Sequence, residues 1–117
     1  MNKTIIIVET DQSILEVLVI LLTGEGYDTK GTVKFEEAAA LVDKEKPNLV
    51  IIEYKLRGLE AISLCKHFKS KYPKMAILTI SCNGDIDSRY KTVGFDCFIA
   101  KPFDIDVLAQ TIRLMLN

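Results

Sequence analysis

Four short apolar runs of this sequence each end in a residue whose side chain can do chemistry. The first two runs lead into the carboxylates Glu9 and Glu53, the third into the hydroxyl of Ser81, and the fourth into the ammonium group of Lys101. Two acids, a hydroxyl and a cation in one pocket can form ion pairs or an acid–base or nucleophilic site. The spacing of the runs decides whether these groups meet.

The stretches between the apolar runs have helical periodicity, which indicates alternating strands and helices. Strands separated by helices lie parallel, so their C-terminal ends share one edge of a sheet. Open α/β sheets bind ligands in the crevice outside that edge. The sequence therefore predicts that Glu9, Glu53, Ser81 and Lys101 line one small pocket.

Five successive strand–helix units predict a single α/β domain over residues 1–117. The expected architecture is a doubly wound (βα)5 domain with a parallel five-stranded sheet and helices on both faces. The second strand is polar and is placed at a sheet edge, whereas the third is apolar throughout and is placed at the centre. The strands are predicted over residues 3–8, 27–32, 49–52, 76–80 and 95–100.

Helix boundaries follow from residues that favour helix ends. Ser13 and Glu16 fit a capping box at the start of the first helix. Asp104 is predicted to cap the last helix, which is expected to face inward through Ile105, Leu108, Ile112 and Met115. A third helix is expected over Glu60–Lys71. After the loop that begins at Asn83-Gly84-Asp85, a short polar helix is expected near Ile86 to Thr92.

Composition excludes several classes of protein. The chain has 117 residues, 49% hydrophobic and 26% charged, with a formal net charge of −1. This charge balance argues against a nucleic-acid-binding domain, which should have a stripe of basic residues. No apolar stretch approaches the roughly 18 residues of a membrane helix, and the first run does not resemble a signal peptide. A cytoplasmic protein is expected, with no nucleic acid or membrane contact by this domain.

The cysteines and the single histidine show no spacing typical of metal ligands or of a catalytic pair. Cys65, Cys82 and Cys97 are interpreted as reduced thiols that act as small apolar residues, with Cys82 the most reactive because it follows a pocket strand. His67 stands in a lysine-rich helical stretch and is interpreted as part of a solvated helix face.

Read together, these residues resemble the receiver domain of two-component response regulators over essentially the whole chain. That family carries an acidic pair after the first strand, a phosphoaccepting aspartate after the third, a Ser or Thr after the fourth, and an aromatic switch residue and a Lys-Pro pair at the fifth. The corresponding residues here are Glu9-Thr10, Glu53, Ser81, Phe98 and Lys101-Pro102. The resemblance implies a flavodoxin-like fold with strand order 2-1-3-4-5 and makes Lys101-Pro102 a candidate cis peptide.

Three departures from the family pattern concern phosphate and metal binding. The phosphoacceptor position holds Glu53 instead of Asp, and the second acidic position, which ligates Mg²⁺ in the family, holds Thr10. The loop that reads Pro-Gly-x-Asp-Gly in the family reads Arg57-Gly58-Leu59-Glu60-Ala61 here. The switch residues Ser81, Phe98 and Lys101 are retained.

These departures weaken the expected metal site. Three aspartates and one lysine give the family pocket a charge of −2, whereas Glu9, Glu53 and Lys101 give −1 here, unless Asp11 turns inward. Mg²⁺ prefers carboxylate oxygens in octahedral geometry, and Thr10 offers a neutral hydroxyl. No cofactor is therefore expected, and Mg²⁺, if bound at all, would be held by Glu9 and Glu53.

The leading hypothesis is a pseudo-receiver, a non-enzymatic domain that signals through protein contacts without ordinary aspartyl phosphorylation. An alternative is a receiver that accepts phosphate on Glu53 with weakened Mg²⁺ binding. A more distant alternative is a hydrolase or flavin-binding module on the same fold. The hydrolase would use Ser81 but lacks a nearby histidine, and the acidic turn after the first strand would repel a flavin phosphate.

The resemblance also implies protein partners, either a histidine kinase or an output protein. The family's usual output face would include Arg89, Tyr90, Lys91, Phe98 and Arg113 here, and a homodimer through that face is a further expectation.

Overall fold

A computed structural model describes residues 2–55, 58–82 and 90–117 of the chain. Strands and helices alternate from the N-terminus up to residue 82. In chain order the described elements are β1 (Thr4–Val8), α1 (Gln12–Gly24), β2 (Asp28–Thr32), α2 (Phe35–Glu45), β3 (Leu49–Tyr54), α3 (Leu59–Lys71), β4 (Ala76–Cys82), β5 (Cys97–Lys101) and α4 (Ile105–Leu116).

The five strands form one parallel sheet in the order β2-β1-β3-β4-β5. This order confirms the predicted fold class, with the polar strand β2 at an edge and β3 at the centre. Every residue of β3 is buried, as expected for a strand that is covered on both faces. The carboxyl ends of β1, β3, β4 and β5 all lie at one edge of the sheet.

Two apolar cores lie on opposite faces of the sheet. One packs α2 and α3 against alternate strand residues such as Ile6, Val50 and Ile77. The other packs α1 and α4 against the intervening residues such as Ile7 and Ile51. Successive side chains of each strand point to opposite faces of the sheet, so every strand contributes to both cores. A sheet covered on both faces therefore requires strands that are apolar at every position, as the sequence has.

The N-terminus of α1 differs from the prediction. The N-cap is Asp11, whose Oδ1 accepts a hydrogen bond from Ile14 N at 3.1 Å, and the helix already includes Ser13. The predicted capping box of Ser13 and Glu16 is therefore wrong. Glu16 instead accepts a hydrogen bond from Gln12 one turn earlier. Asp11 is the better cap because its carboxylate also complements the positive end of the helix dipole.

The last helix is capped as predicted, and its predicted inward face is right except at Ile105. Asp104 Oδ1 accepts hydrogen bonds from the backbone N–H groups of Asp106 and Val107. Leu108 and Ile112 are buried as predicted and Met115 packs against the same core. Ile105 is 50% exposed, so its predicted inward orientation is wrong, because it lies in the first turn, before the stripe that faces the sheet. Within the described residues no helix has both the length and the apolar character needed to cross a bilayer.

Strand boundaries extend further toward the C-terminal edge than predicted. Glu53 and Tyr54 pair with β4, so β3 continues past Ile52. Lys101 pairs with Cys82, so β5 includes Lys101, while it begins only at Cys97 and leaves Phe95 in the preceding turn. The predicted loop at Asn83 and most of the short helix near Ile86–Thr92 lie outside the described residues.

The absence of a side chain at Gly31 lets α1 approach the sheet. A Cβ at this position would lie 2.5 Å from Leu15 Cδ1 and 2.8 Å from the backbone oxygen of Ile7. Both distances are shorter than van der Waals contact, and the second neighbour is backbone that cannot rotate away. Gly31 in β2 therefore sets how closely α1 packs.

We expect Gly31→Ala to destabilise the protein by about 1–3 kcal/mol, as overpacking of a tight contact usually does. Gly24→Ala is the matched control, because nothing lies within 4 Å of a Cβ there and alanine favours helix by up to ~1 kcal/mol. Urea unfolding monitored by circular dichroism gives both values. Equal stability of the two variants would contradict the close approach.

Candidate functional site

Glu9, Glu53 and Lys101 meet at the C-terminal edge of the sheet. Glu9 follows β1, Glu53 lies near the end of β3, and Lys101 is the last residue of β5. Lys101 Nζ lies 3.0 Å from Glu9 Oε1 and 3.3 Å from Glu53 Oε2. One ammonium group therefore bridges two carboxylates from neighbouring strands, as the sequence predicts.

The three charged side chains are largely shielded from water. The side chains of Glu9, Glu53 and Lys101 are 2%, 11% and 14% exposed. A pair of opposite charges at 4 Å attracts by about 4 kcal/mol at an effective dielectric of 20. Desolvation offsets much of that gain, so the removal of one partner would cost more than the pair contributes.

Thr10 is the second principal partner of Glu53. Its hydroxyl donates to Glu53 Oε1 at 2.6 Å, and its backbone N–H donates to the same oxygen at 3.2 Å. The hydroxyl in turn accepts a hydrogen bond from Lys55 Nζ at 2.9 Å. A chain of hydrogen bonds therefore runs from Lys55 through Thr10 to the carboxylate.

The sequence placed Thr10 in the acidic pocket with Glu9 and Asp11 but gave it no ligand role, and it did not assign Lys55 to the site. The available signal was the spacing of Lys55 and Glu53, since residues two apart in an extended strand project to the same side. With Lys55 included, two carboxylates and two ammonium groups form the site, so its formal charge is zero and not the predicted −1.

Asp11 does not add a negative charge to this site. Its side chain turns away to cap α1, while its backbone N–H donates to Glu9 Oε2 at 3.1 Å. With that contact, each of the four carboxylate oxygens of Glu9 and Glu53 accepts a hydrogen bond from the chain itself.

The pKa values in the site reflect the balance between burial and these contacts. Burial opposes ionisation of Glu53, but hydrogen bonds with Glu9 and Thr10 and the charge of Lys101 outweigh it and lower the pKa to about 2. Burial and the hydrogen bond with Glu53 raise the pKa of Glu9. Burial disfavours the charged form of Lys101, yet the two carboxylates raise its pKa. Glu53 and Lys101 are therefore both ionised at neutral pH.

Of the remaining predicted site residues, Ser81 and Pro102 lie at the same edge, whereas Phe98 lies near the start of β5. Ser81 is buried and pairs in the sheet with Tyr54 and Ala100, the neighbours of Glu53 and Lys101. The Phe98 ring lies 5.1 Å from the Tyr90 ring. The Lys101–Pro102 peptide bond is cis.

The residues predicted for an output face are only partly described. Arg89 lies outside the described residues. Lys91 Nζ lies 5.9 Å from the centre of the Tyr90 ring. Arg113 forms an ion pair with Glu25 at the end of α1, at 2.8 Å.

Cys65, Cys97 and His67 lie away from this site, whereas Cys82 is the sheet partner of Lys101. Cys65 and Cys97 carry free thiols, and burial raises the pKa of the Cys65 thiol to about 11, so this thiol is unreactive at neutral pH. The side chain of Cys82 is not among those described. His67 is exposed on α3 beside the Phe68 ring.

Comparison with known proteins identifies the family. The response regulator receiver domain matches residues 5–113 of the chain. The sporulation initiation phosphotransferase F of Bacillus subtilis (strain 168) is 30% identical over 118 residues, which cover 99% of this chain and 95% of that protein. The chain belongs to the receiver domain family, whose members are signalling modules.

Solved structures agree with this assignment. A candidate response regulator from Chloroflexus aurantiacus J-10-fl is 28% identical, with a TM-score of 0.87 and coverage of 99% of this chain and 98% of that one. NtrX from Brucella abortus is 27% identical with a TM-score of 0.88, and the match covers 99% of this chain but 27% of NtrX. This chain therefore corresponds to a receiver domain that also occurs within longer proteins.

The residues present do not fit the divalent cation that the family's acidic pocket implies. The Lys101 ammonium group already lies between the two carboxylates, and the Thr10 hydroxyl already donates to Glu53. Across residues 2–55, 58–82 and 90–117, no group of three or more His, Cys, Asp or Glu side chains is arranged to hold a metal ion.

We expect Lys101→Met to lower the free energy of unfolding by about 3 kcal/mol at neutral pH, because it leaves two buried carboxylates without their cation. Lys30→Met is the control, since it breaks an ion pair with Glu45 in which the lysine side chain is 59% exposed and should cost less than ~1 kcal/mol. Urea unfolding measures both. A loss at Lys101 no larger than that at Lys30 would show that the buried bridge does not form.

The low pKa of Glu53 predicts a specific pH dependence. A carboxylate with a folded-state pKa of about 2 and an ordinary value of 4.5 stabilises the fold above pH 4.5 and loses that contribution as the pH falls toward 2. The difference in unfolding free energy between wild type and Glu53→Gln should therefore shrink over this range. Urea titrations at a series of pH values measure it, and a difference that grows on acidification would contradict the assignment.

Proposed function

We propose that this chain is a pseudo-receiver, a receiver domain that signals through protein contacts without phosphorylation of an aspartate. The observation that carries the proposal is that every oxygen of the two carboxylates already has a hydrogen-bond partner. Every carboxylate oxygen of Glu9 and Glu53 accepts a hydrogen bond within the chain. A phosphoryl donor would have to displace Thr10 or Lys101 before it reached Glu53.

The length of the glutamate side chain argues in the same direction. Glu53 carries one methylene more than an aspartate, which moves its oxygen by roughly 1 Å, and misplacement on that scale can cost about 10²-fold in rate. In this structure the extra length is used to reach Thr10 and Lys101. The domain is therefore proposed to have no catalytic activity of its own.

The proposal includes weak or absent Mg²⁺ binding. The negative charge that a divalent ion would balance is already balanced by Lys101 and, through Thr10, by Lys55. An incoming ion would have to break these contacts and pay the cost of its own dehydration.

The switch residues Ser81, Phe98 and Lys101 are proposed to keep one arrangement in the absence of a phosphate. Lys101 is bound to two carboxylates, and two-state switches generally differ by a few kcal/mol, which is the scale of that interaction. Protein partners would then recognise this arrangement. The relative named a phosphotransferase supports a place in a phosphorelay, with a histidine kinase or an output protein as the partner.

The partner surface is proposed to be the face that carries Tyr90, Lys91 and Phe98. The Tyr90 and Phe98 rings contact each other there and supply aromatic groups that protein interfaces favour. A second copy of the chain is one candidate partner. A cytoplasmic location belongs to the same proposal, since the free thiols of Cys65 and Cys97 suit a reducing compartment.

Incubation with Mg²⁺ and acetyl phosphate tests the proposal. We expect intact-protein mass spectrometry to show no added phosphoryl group on the wild-type chain. The double variant Thr10→Asp with Glu53→Asp is the control, because it returns both altered positions to the family's residues and should gain the modification.

A stoichiometric phosphoryl adduct on Glu53 of the wild type would overturn the proposal in favour of a phosphorylatable glutamate. That alternative also requires a measurable Mg²⁺ affinity that falls in Glu9→Gln, which a titration followed by NMR would detect.

A further inference from the structure

A second cavity lies at the opposite end of the sheet from Glu53. It has a volume of about 540 Å³ and lies between the α2–β3 and α3–β4 connections, which precede the N-terminal ends of β3 and β4. That volume is within the ~300–1,000 Å³ typical of small-molecule sites. Its principal lining residues are Lys46, Pro47, Lys71, Tyr72, Lys74 and Met75.

The cavity is positively charged, although the protein as a whole has a net charge of −1. Three lysines line it. The nearby Asp43 is engaged by Lys71 Nζ at 3.0 Å and by the Tyr72 hydroxyl at 2.6 Å. Among the described residues, Lys46 and Lys74 form no ion pair. Two ammonium groups at this cavity are therefore available to an anion.

The backbone at Lys46 is a second and independent observation. Lys46 ends α2 in the left-handed conformation, with φ of 46° and ψ of 62°, a position that glycine or asparagine usually fills. A lysine there costs backbone energy of order 1 kcal/mol or more. The chain thus places an ammonium group at this cavity where glycine would be the more stable residue.

The walls between the lysines are mainly apolar, with Asn48 as their polar member. Pro47 and Met75 are buried, and the Tyr72 ring is half-buried. The hydrogen bond from the Tyr72 hydroxyl to Asp43 fixes the ring orientation. A ligand with a planar ring beside a group of negative charges would match this combination of surfaces.

We propose that this cavity binds a nucleoside diphosphate, with the phosphates at Lys46 and Lys74 and the ring against Tyr72 and the two prolines that flank the cavity, Pro47 and Pro73. The site is independent of the proposed function, because it lies at the other edge of the sheet from Glu53 and shares no residue with it.

The test is a titration of the full chain with ADP, pyrophosphate and adenosine, each followed by isothermal calorimetry and by NMR shifts of the cavity amides. ADP should bind most tightly, because it alone satisfies both the charged and the apolar surfaces. Equal affinity for ADP and pyrophosphate would overturn the role of the ring, and no shift of cavity amides with ADP would overturn the site.

The variants separate binding from folding. Lys46→Gly removes an ammonium group and relieves the left-handed backbone, so it should stabilise the fold while weakening ADP binding. Combined with Lys74→Gln, it should reduce affinity about tenfold, the scale of two partly exposed ion pairs. The control is Lys44→Gln combined with Lys66→Gln. Both lysines are exposed and lie outside the cavity, so these substitutions remove the same amount of charge without changing the proposed site. An equal loss in the control would overturn a specific site.

Discussion

The ammonium group of Lys101 holds together the C-terminal edge of the sheet. It arrives from β5 and contacts carboxylates that follow β1 and lie on β3, so three strands depend on one cation for their charge balance. Both carboxylates are largely buried, and buried like charges without a counterion are strongly unfavourable. The hydrogen bonds of Thr10 and Asp11 occupy the remaining oxygens, and Lys55 adds a second positive charge through the Thr10 hydroxyl. The pocket is consequently neutral and satisfied by the chain alone.

The sequence predicted the fold because its dominant signals are local and strong. Apolar runs separated by helical periodicity require a parallel sheet, and a parallel sheet requires that the chemically active residues share an edge. The strand order came from the resemblance to receiver domains and not from the periodicity, since alternation of strands and helices does not specify which strands are neighbours. The convergence of Glu9, Glu53 and Lys101 followed directly from the parallel arrangement.

What the sequence could not supply was the direction of individual side chains. Asp11 and Ser13 are both good N-cap residues, and the choice between them depends on where the backbone turns after β1, which the contact from Asp11 N to Glu9 fixes. The role of Thr10 was not recognisable because it depends on a hydroxyl that donates to Glu53 and accepts from Lys55, and neither contact can be read from the sequence. Lys55 was missed because a lysine in a loop resembles any solvated lysine until its partner is known. The orientation of Ile105 was predicted wrongly because this residue directly follows the capping residue Asp104, and the face of α4 that meets the sheet begins one turn later.

The contact between Glu9 and Asp11 connects the pocket mechanically to a surface helix. One oxygen of Glu9 receives the Lys101 ammonium group and the other receives the backbone of Asp11, whose side chain anchors the first turn of α1. Rotation of the Glu9 carboxylate would break its hydrogen bond with the backbone of Asp11, the residue that caps α1. The start of α1 and the buried ion pair of Glu9 and Lys101 therefore share a single carboxylate group.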